Sequence, residues 1–225
     1  ERTKQSTALK AAKMDVVLEV LVIGGGVAGI TTSLRLSEFG LKVHLIEKDP
    51  SIGGHMIQYP KVFPTLDCSQ CILTPKMAQV NQSKNIDLIT YSEVKEITGV
   101  PGDFKAKIWV KPRGVDPEKC IGCGACSQVC PSKAKDEYNE GLSERKAIYR
   151  PFPQAVPSIY TIDFESCLKC GACERTCPAE AIDINDPGKT LEIKVGAVVL
   201  ATGFELYDLG GLTNYGYGVY PNVVN

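Results

Sequence analysis

Two histidines, one tryptophan, three methionines and a net charge of −1 leave several functions without material. With 25 basic residues against 26 acidic ones, the chain carries no polybasic footprint, which argues against nucleic acid or an anionic membrane surface as partner. No apolar run approaches the roughly 20 residues that a membrane-spanning helix requires. The opening ERTKQSTALKAAK has charge but no apolar stretch, so it does not read as a secretory leader. It also lacks an initiator methionine and reads as the end of a helix. Residues 1–17 are therefore expected to be a helical lead-in from an upstream domain, and the chain a piece of a longer subunit. No Ser/His/Asp or paired-carboxylate constellation calls for hydrolytic chemistry. His44 alternates within an apolar strand and reads as structural. His55 follows a glycine pair, where it is placed to touch a nucleotide, and Trp109 reads as packing.

What the chain has in abundance is cysteine, ten in 225 residues of otherwise ordinary globular composition, 44% hydrophobic and 23% charged. Read as disulfides, so many cysteines would imply a small secreted scaffold. They stand instead in two four-cysteine runs with metal-ligand spacing plus one leftover pair, beside a nucleotide-binding motif. A reducing, cytoplasmic setting fits that combination.

The motif is Gly24-Gly25-Gly26-Val27-Ala28-Gly29, directly after the apolar strand Leu18–Ile23 and directly before a predicted helix that runs to about Phe39 and ends at Gly40. In G-x-G-x-x-G, the first glycine permits a tight turn, the second lets backbone approach a pyrophosphate, and the third allows close helix–strand packing. A second strand, Lys42–Ile46, ends in Glu47, where a carboxylate accepts hydrogen bonds from ribose hydroxyls. Strand, loop, helix, strand and acid in register make a dinucleotide site of Rossmann type.

Gly53-Gly54 is similar to the second glycine pair of FAD-binding flavoproteins with two dinucleotide domains. That family follows its first βαβ unit with a three-stranded meander and an Ala-Thr-Gly segment against the flavin nucleotide. Here NIDLITYSEVKEI, a turn at Pro101-Gly102-Asp103 and FKAKIWVKP supply a strand and a hairpin. LEIKV would be the third meander strand, and AVVLATG, with Ala201, Thr202 and Gly203, the closing strand. The expected fold is therefore α/β. A Rossmann-type FAD domain over residues 18–112 and 189–225 would be interrupted by an inserted α+β two-[4Fe–4S] ferredoxin domain over residues 113–188.

The insert carries Cys120-x2-Cys123-x2-Cys126-x3-Cys130-Pro131 and repeats that spacing at Cys167, Cys170, Cys173, Cys177 and Pro178. In the two-cluster ferredoxin pattern, three closely spaced thiolates hold one cluster and the fourth ligates the other. The pattern assigns cluster one to Cys120, Cys123, Cys126 and Cys177, and cluster two to Cys167, Cys170, Cys173 and Cys130. Zinc is the bland alternative for paired C-x2-C motifs, and duplication of the whole run speaks against it. The polar, proline-ended connector between the runs reads either as a solvated loop or as a docking surface or cover over the clusters.

Cys68 and Cys71, in FPTLDCSQCILTPKM, remain. Three readings stand open: a dithiol exchanging electrons with flavin, half the ligand set of a further cluster completed from outside this chain, or buried thiols without chemistry. Lys76, in TPKM, lies either near the flavin ring, where its charge would stabilise reduced flavin, or on the surface.

An FAD domain interrupted by a two-cluster ferredoxin resembles the A subunit of heterodisulfide reductase. The likeness runs from about residue 18 to the end, through GGGVAGI, EKDPSIGG, FPTLDCSQCILTPKM, NEGLSERKAIYRPFPQAVP, both cysteine runs and VLATGFELYD. It implies FAD contacts at Gly24, Gly26, Val27, Ala28, Gly29, Glu47, Lys48, Gly53, Gly54, Val94, Ala201, Thr202 and Gly203. It further implies a cytoplasmic, anaerobic complex of methanogenesis in which FAD bifurcates electrons between ferredoxin and a heterodisulfide. Expected partners are other subunits of the complex, a hydrogenase or formate dehydrogenase that feeds electrons in, and soluble ferredoxin. A linear FAD and iron–sulfur relay in another anaerobic oxidoreductase is the second reading. The family's second dinucleotide domain finds no counterpart before Asn225, so these residues are expected to enclose the flavin ring only in part.

Overall fold

Every residue in the middle of EVLVI is buried because the strand it forms, β1 (Glu19–Ile23), is covered on both faces. In the computed structural model, which describes residues 15–205, 207, 209–211 and 213–223, β1 lies inside a parallel sheet. Its neighbours are β2 (Lys42–Ile46) and β11 (Ala197–Leu200), with β3 (Ile86–Ile89) beyond β2. Strand period two sends Val20, Val22, Val43 and Leu45 to one face and Leu21 and Ile46 to the other. On the first face lie the crossover helices α1 (Val27–Glu38) and α2 (Ser69–Gln82), which bring Ile30, Leu73, Met77 and Val80 into the core.

The second face is closed by an antiparallel meander of β4 (Ser92–Val100), β5 (Asp103–Val110) and β10 (Lys189–Val195), in the order β10-β5-β4. Ala106, Ile108 and Val195 pack there on Leu21 and Ile46. A late strand thus completes each layer, β10 the meander and β11 the parallel sheet, as the sequence predicts. Most of the expected helical lead-in, residues 1–14, lies outside the described residues. Residues 15–18 have no regular structure, and the Val17 N–H donates to the Gly102 carbonyl at 2.9 Å.

Between β5 and β10 the chain builds α3 (Ala125–Val129), β6 (Lys133–Lys135), β7 (Glu144–Lys146), β8 (Ile148–Tyr149), β9 (Thr161–Ile162) and α4 (Ala172–Thr176). The two ends of this segment zip together. Val115 bridges Ile182, Asp116 N–H donates to the Ala181 carbonyl at 2.7 Å, and Asp183 N–H donates to the Gly114 carbonyl at 3.0 Å.

The connector between the cysteine runs corrects the solvated-loop expectation. Phe152 (7% exposed) and Ala155 (2%) are buried in the core that α1 and α2 form with the sheet, and Tyr138 and Val156 pack against it. Ser51 Oγ and the Val156 backbone exchange hydrogen bonds, and Ile52 N–H donates to the Val156 carbonyl at 3.0 Å. Burying one large apolar side chain contributes roughly 1.5–3 kcal/mol. The connector is a clamp between the cysteine-rich segment and the nucleotide-binding layers.

Candidate functional site

Three glycines of the loop after β1 face three different environments. Gly24 has φ +106°, donates its N–H to the Ile46 carbonyl at 2.8 Å, and would drive any Cβ into the Ala201 carbonyl. A Cβ on Gly29 would collide with the Gly24 carbonyl. Gly26 is the exception, because nothing among the described residues lies within 4 Å of where its Cβ would be. Gly26 is also the N-cap of α1, and no described side chain caps that helix. An N-terminus without a side-chain cap carries a partial positive charge of about half a unit on its first N–H groups, and such a terminus suits an anion such as a pyrophosphate. Val27 and Ala28 form the first turn beside it.

Glu47 stands at the end of β2, only 6% exposed. Its Oε2 accepts the Gly25 N–H at 2.5 Å and its Oε1 the Asp49 N–H at 2.9 Å. The acid therefore braces the glycine loop itself, and a ribose hydroxyl would have to use the remaining lone pairs. Burial pushes the carboxyls of both Glu47 and Asp49 above their usual range, with their mutual repulsion adding to the effect at Glu47. Glu47→Ala is expected to orphan two N–H donors, cost about 2–4 kcal/mol in stability and lower flavin occupancy severalfold. Thermal unfolding and the flavin-to-protein ratio check both; unchanged occupancy would separate the acid from the nucleotide.

Gly53 and Gly54 close over the same loop. Gly53 N–H donates to the Gly25 carbonyl at 2.8 Å, and a Cβ on Gly54 would come within 3.0 Å of Gly26 Cα. The segment after β11 lies alongside: Ala201 N–H donates to the Ile23 carbonyl at 2.8 Å, Gly203 takes φ +72°, and Thr202 sits between them, against Gly24. His55 and Phe204 stack with ring centroids 4.9 Å apart, and His55 Nε2 lies 3.0 Å from the Phe204 carbonyl. Lys48 pairs with Glu205 at 3.3 Å. Val94 packs into the core between sheet and meander, at a bulge in β4. His44, as expected, is a sheet residue, its Nε2 2.6 Å from Glu19 Oε2. Trp109 packs over Gly188.

The eight cysteines of the insert sort themselves into two quartets. Cys120, Cys123, Cys126 and Cys177 line one cavity; Cys130, Cys167, Cys170 and Cys173 line another. Each quartet takes three members from one run and one from the other. The chain turns that allow this are Gly124 and Gly171, which cap α3 and α4 at φ +84° and +69°. Burial, with the neighbouring Cys120, Cys173 and Cys123 adding, pushes the Cys126 thiol up to about 12. Cys173 is raised by burial and by Cys167 and Cys130. Thiolates so placed repel one another until an iron core supplies positive charge. Among the described residues no three His, Cys, Asp or Glu side chains converge as they would around a single ion. Three ligands from one run and one from the other is the arrangement of a two-cluster ferredoxin.

Cys68 and Cys71 are bonded to each other at the N-terminus of α2, where Cys68 Sγ accepts the Cys71 N–H. Both are exposed, which removes the reading of buried, inert thiols. Ser69 Oγ bonds the Tyr59 carbonyl, and Gln70 Nε2 donates to the Ile57 carbonyl at 3.3 Å. These contacts tie the pair to the turn that follows Gly53-Gly54. As a disulfide the pair can accept electrons; ligating a cluster would first require its reduction to thiolates. Lys76 lies within α2, partly exposed and without an ion pair among the described residues.

Residues 22–74 match the family model of an NAD(P)-binding Rossmann-like domain, and residues 119–182 that of a 4Fe-4S dicluster domain. The fold is thus a FAD/NAD(P)-type dinucleotide fold with a two-cluster module, and the four-cysteine runs fit two [4Fe–4S] clusters. The iron-sulfur A subunit of a CoB--CoM heterodisulfide reductase of Methanopyrus kandleri is 54% identical over 96% of this chain and 33% of its own length. The A subunit of the H(2):CoB-CoM heterodisulfide,ferredoxin reductase of Methanothermobacter thermautotrophicus is 49% identical over 96% of this chain and 33% of its own. The A subunit of the H(2)/formate:CoB-CoM heterodisulfide,ferredoxin reductase of Methanococcus maripaludis is 49% identical over all of this chain and 34% of its own. No helix among the described residues is long and apolar enough to cross a membrane. At 49–54% identity along 96–100% of its length, the chain is a homologue of the heterodisulfide reductase A subunit and spans about a third of the length of those relatives.

Proposed function

We propose that this chain is the part of a heterodisulfide-reductase-type oxidoreductase that holds FAD and two [4Fe–4S] clusters and passes electrons between them. When bound, FAD supplies the exchange between paired and single electrons, and each cluster carries one electron at a time. The observation that carries the reading is the pair of mixed cysteine quartets in a segment clamped onto the dinucleotide layers. The protein's own tasks are holding and spacing. Gly24, Gly26 and Gly29 with the α1 N-terminus receive the pyrophosphate; Glu47 steadies that loop and faces the ribose. Gly53, Gly54 and Ala201–Gly203 close the sides. Tyr138 and Phe152, stacked at 4.9 Å, fix the cluster-bearing segment against the nucleotide-binding core, and Tyr138 Oη donates to the Ile57 carbonyl at 2.9 Å.

In this reading residues 18–112 and 189–225 form the flavin domain and residues 113–188 the inserted ferredoxin domain. The complex would split electron pairs between ferredoxin and a heterodisulfide, with a hydrogenase or formate dehydrogenase as donor. The names of the relatives from M. thermautotrophicus and M. maripaludis support that choice of substrates and donors. The test is an anaerobic potentiometric titration of the flavin in the assembled complex. Uptake of both electrons at a single midpoint, with no one-electron stage, is expected for bifurcation. Two well-separated one-electron steps would make the chain a linear relay instead.

A further inference from the structure

Cys130 and Cys177 hold equivalent places in the two cysteine runs, each closing its short helix, α3 or α4, before a proline. Their carbonyls are met differently. The Cys177 carbonyl accepts the backbone N–H of Glu180 at 3.3 Å, a neutral contact from its own turn. After Pro131 the chain instead runs out into β6, and the Cys130 carbonyl accepts Lys146 Nζ at 2.8 Å from the end of β7. The residues after that lysine are built into the second cavity. Ala147 and Ile148 line it beside Cys130, and Ala147 N–H donates to the Ser132 carbonyl at 3.3 Å. Lys146 is thus fixed by contact to a residue of the second quartet, and it takes no part in lining the first cavity.

The lysine is half-buried and has no carboxylate partner among the described residues. The acids around its hairpin are engaged with other cations, Glu144 with Lys133 at 2.7 Å, and Glu137 and Asp163 with Arg145 at 2.7 and 3.3 Å. A carbonyl needs only a neutral donor, so the ammonium brings a charge that the hydrogen bond does not require. We infer that Lys146 is a positioning residue for the second cluster: it holds the crossing ligand Cys130 in place, and its charge raises that cluster's reduction potential. The inference rests on the two-cluster reading. A thiolate-ligated cluster gains one negative charge on reduction, so a cation held nearby favours the reduced form. Two other cations stand near the cysteines. Arg175 Nη1 donates to the Cys170 carbonyl at 3.3 Å but is exposed, so water and salt screen it. Arg150 lies toward the first cavity, its Nη1 3.9 Å from where a Cβ on Gly122 would be, and it bonds Ser158 Oγ rather than any cysteine.

The test is EPR-monitored potentiometry on the reconstituted holoprotein, with iron content measured first and the two signals assigned through Cys123→Ala and Cys170→Ala. Two clusters must be present in the wild type; their absence would refute the two-cluster reading rather than this one. Lys146→Gln removes the charge and leaves an amide donor. It is expected to lower the reduced-to-oxidised ratio of cluster two about threefold at fixed poise, about 28 mV for one electron. Cluster one should move by clearly less. Lys146→Arg keeps the charge and should keep most of the wild-type value. Arg150→Gln removes a cation that lines the same cleft as Lys146, and it should leave cluster two nearly unmoved. No shift in Lys146→Gln, equal shifts at both clusters, or as large a drop at cluster two in Lys146→Arg or Arg150→Gln would overturn the assignment. Should Lys146→Gln fail to load cluster two, Lys146→Arg decides. Both clusters loaded, with cluster two at the wild-type midpoint, supports the proposal; a lost cluster two or a lowered midpoint refutes it.

Discussion

Cys177→Ala is expected to abolish cluster one, although Cys177 belongs to the second run, and to leave cluster two intact. Cys130→Ala should do the reverse. Both expectations follow from the cavities: Cys177 lines the one that holds Cys120, Cys123 and Cys126, while Cys130 faces Cys167, Cys170 and Cys173. Alanine removes the thiolate and offers no substitute ligand, so each variant should lose about half its iron. The remaining EPR signal then identifies the surviving cluster. Cys123→Ala must resemble Cys177→Ala, and Cys170→Ala must resemble Cys130→Ala. If Cys177→Ala instead groups with Cys170→Ala, each cluster is held by one run alone and the crossed assignment is wrong. Flavin occupancy should survive in all four variants, because both quartet cavities are lined by residues between Val115 and Ile184 and by none of the loop around Gly26.

The cysteine runs were legible because their information is local: ligand spacing within a few residues names the cofactor whatever surrounds it. The late pairing of β11 with β1 was legible for a different reason. A Rossmann loop is recognisable at one end, and its closing strand carries a matching Ala-Thr-Gly at the other. The clamp was not legible. Phe152 and Ala155 stand among prolines and polar residues, with no period of two or 3.6 to show that they are buried. Their burial is decided by a core built from residues far away in sequence. The setting of buried Arg113 was invisible for the same reason, since its guanidinium meets Thr90, Pro50 and Thr161, which are far apart in sequence. Glu47 was half legible. Its position at the end of a strand marked it as a ribose acceptor, but only the folded chain shows the carboxylate already engaged by Gly25 and Asp49. The His55–Phe204 contact joins the start and end of the cradle and had no sequence signal beyond a histidine after a glycine pair.

Gly26→Val and Gly29→Val should fail in opposite ways, and the contrast isolates the nucleotide site from the fold. At Gly29 a side chain meets the Gly24 carbonyl, a backbone atom fixed by the hydrogen bond from Gly24 N–H to Ile46. Nothing there can yield, so helix α1 must part from β1 and the variant should be destabilised by several kcal/mol or fail to fold. At Gly26 a Cβ has no described atom beyond its own chain neighbours within 4 Å, and φ is −76°, so a side chain there starts from open space and an ordinary extended backbone. Its melting temperature without flavin should stay within a few degrees of the wild type. The open space at Gly26 is where a pyrophosphate must approach the backbone, so the same side chain should weaken FAD binding at least about a hundredfold. Flavin fluorescence titration beside thermal unfolding reads both quantities on one sample. A Gly26→Val protein that keeps its flavin would place the pyrophosphate elsewhere and remove the cradle from the mechanism. One that unfolds would mean that the space is needed by the chain itself.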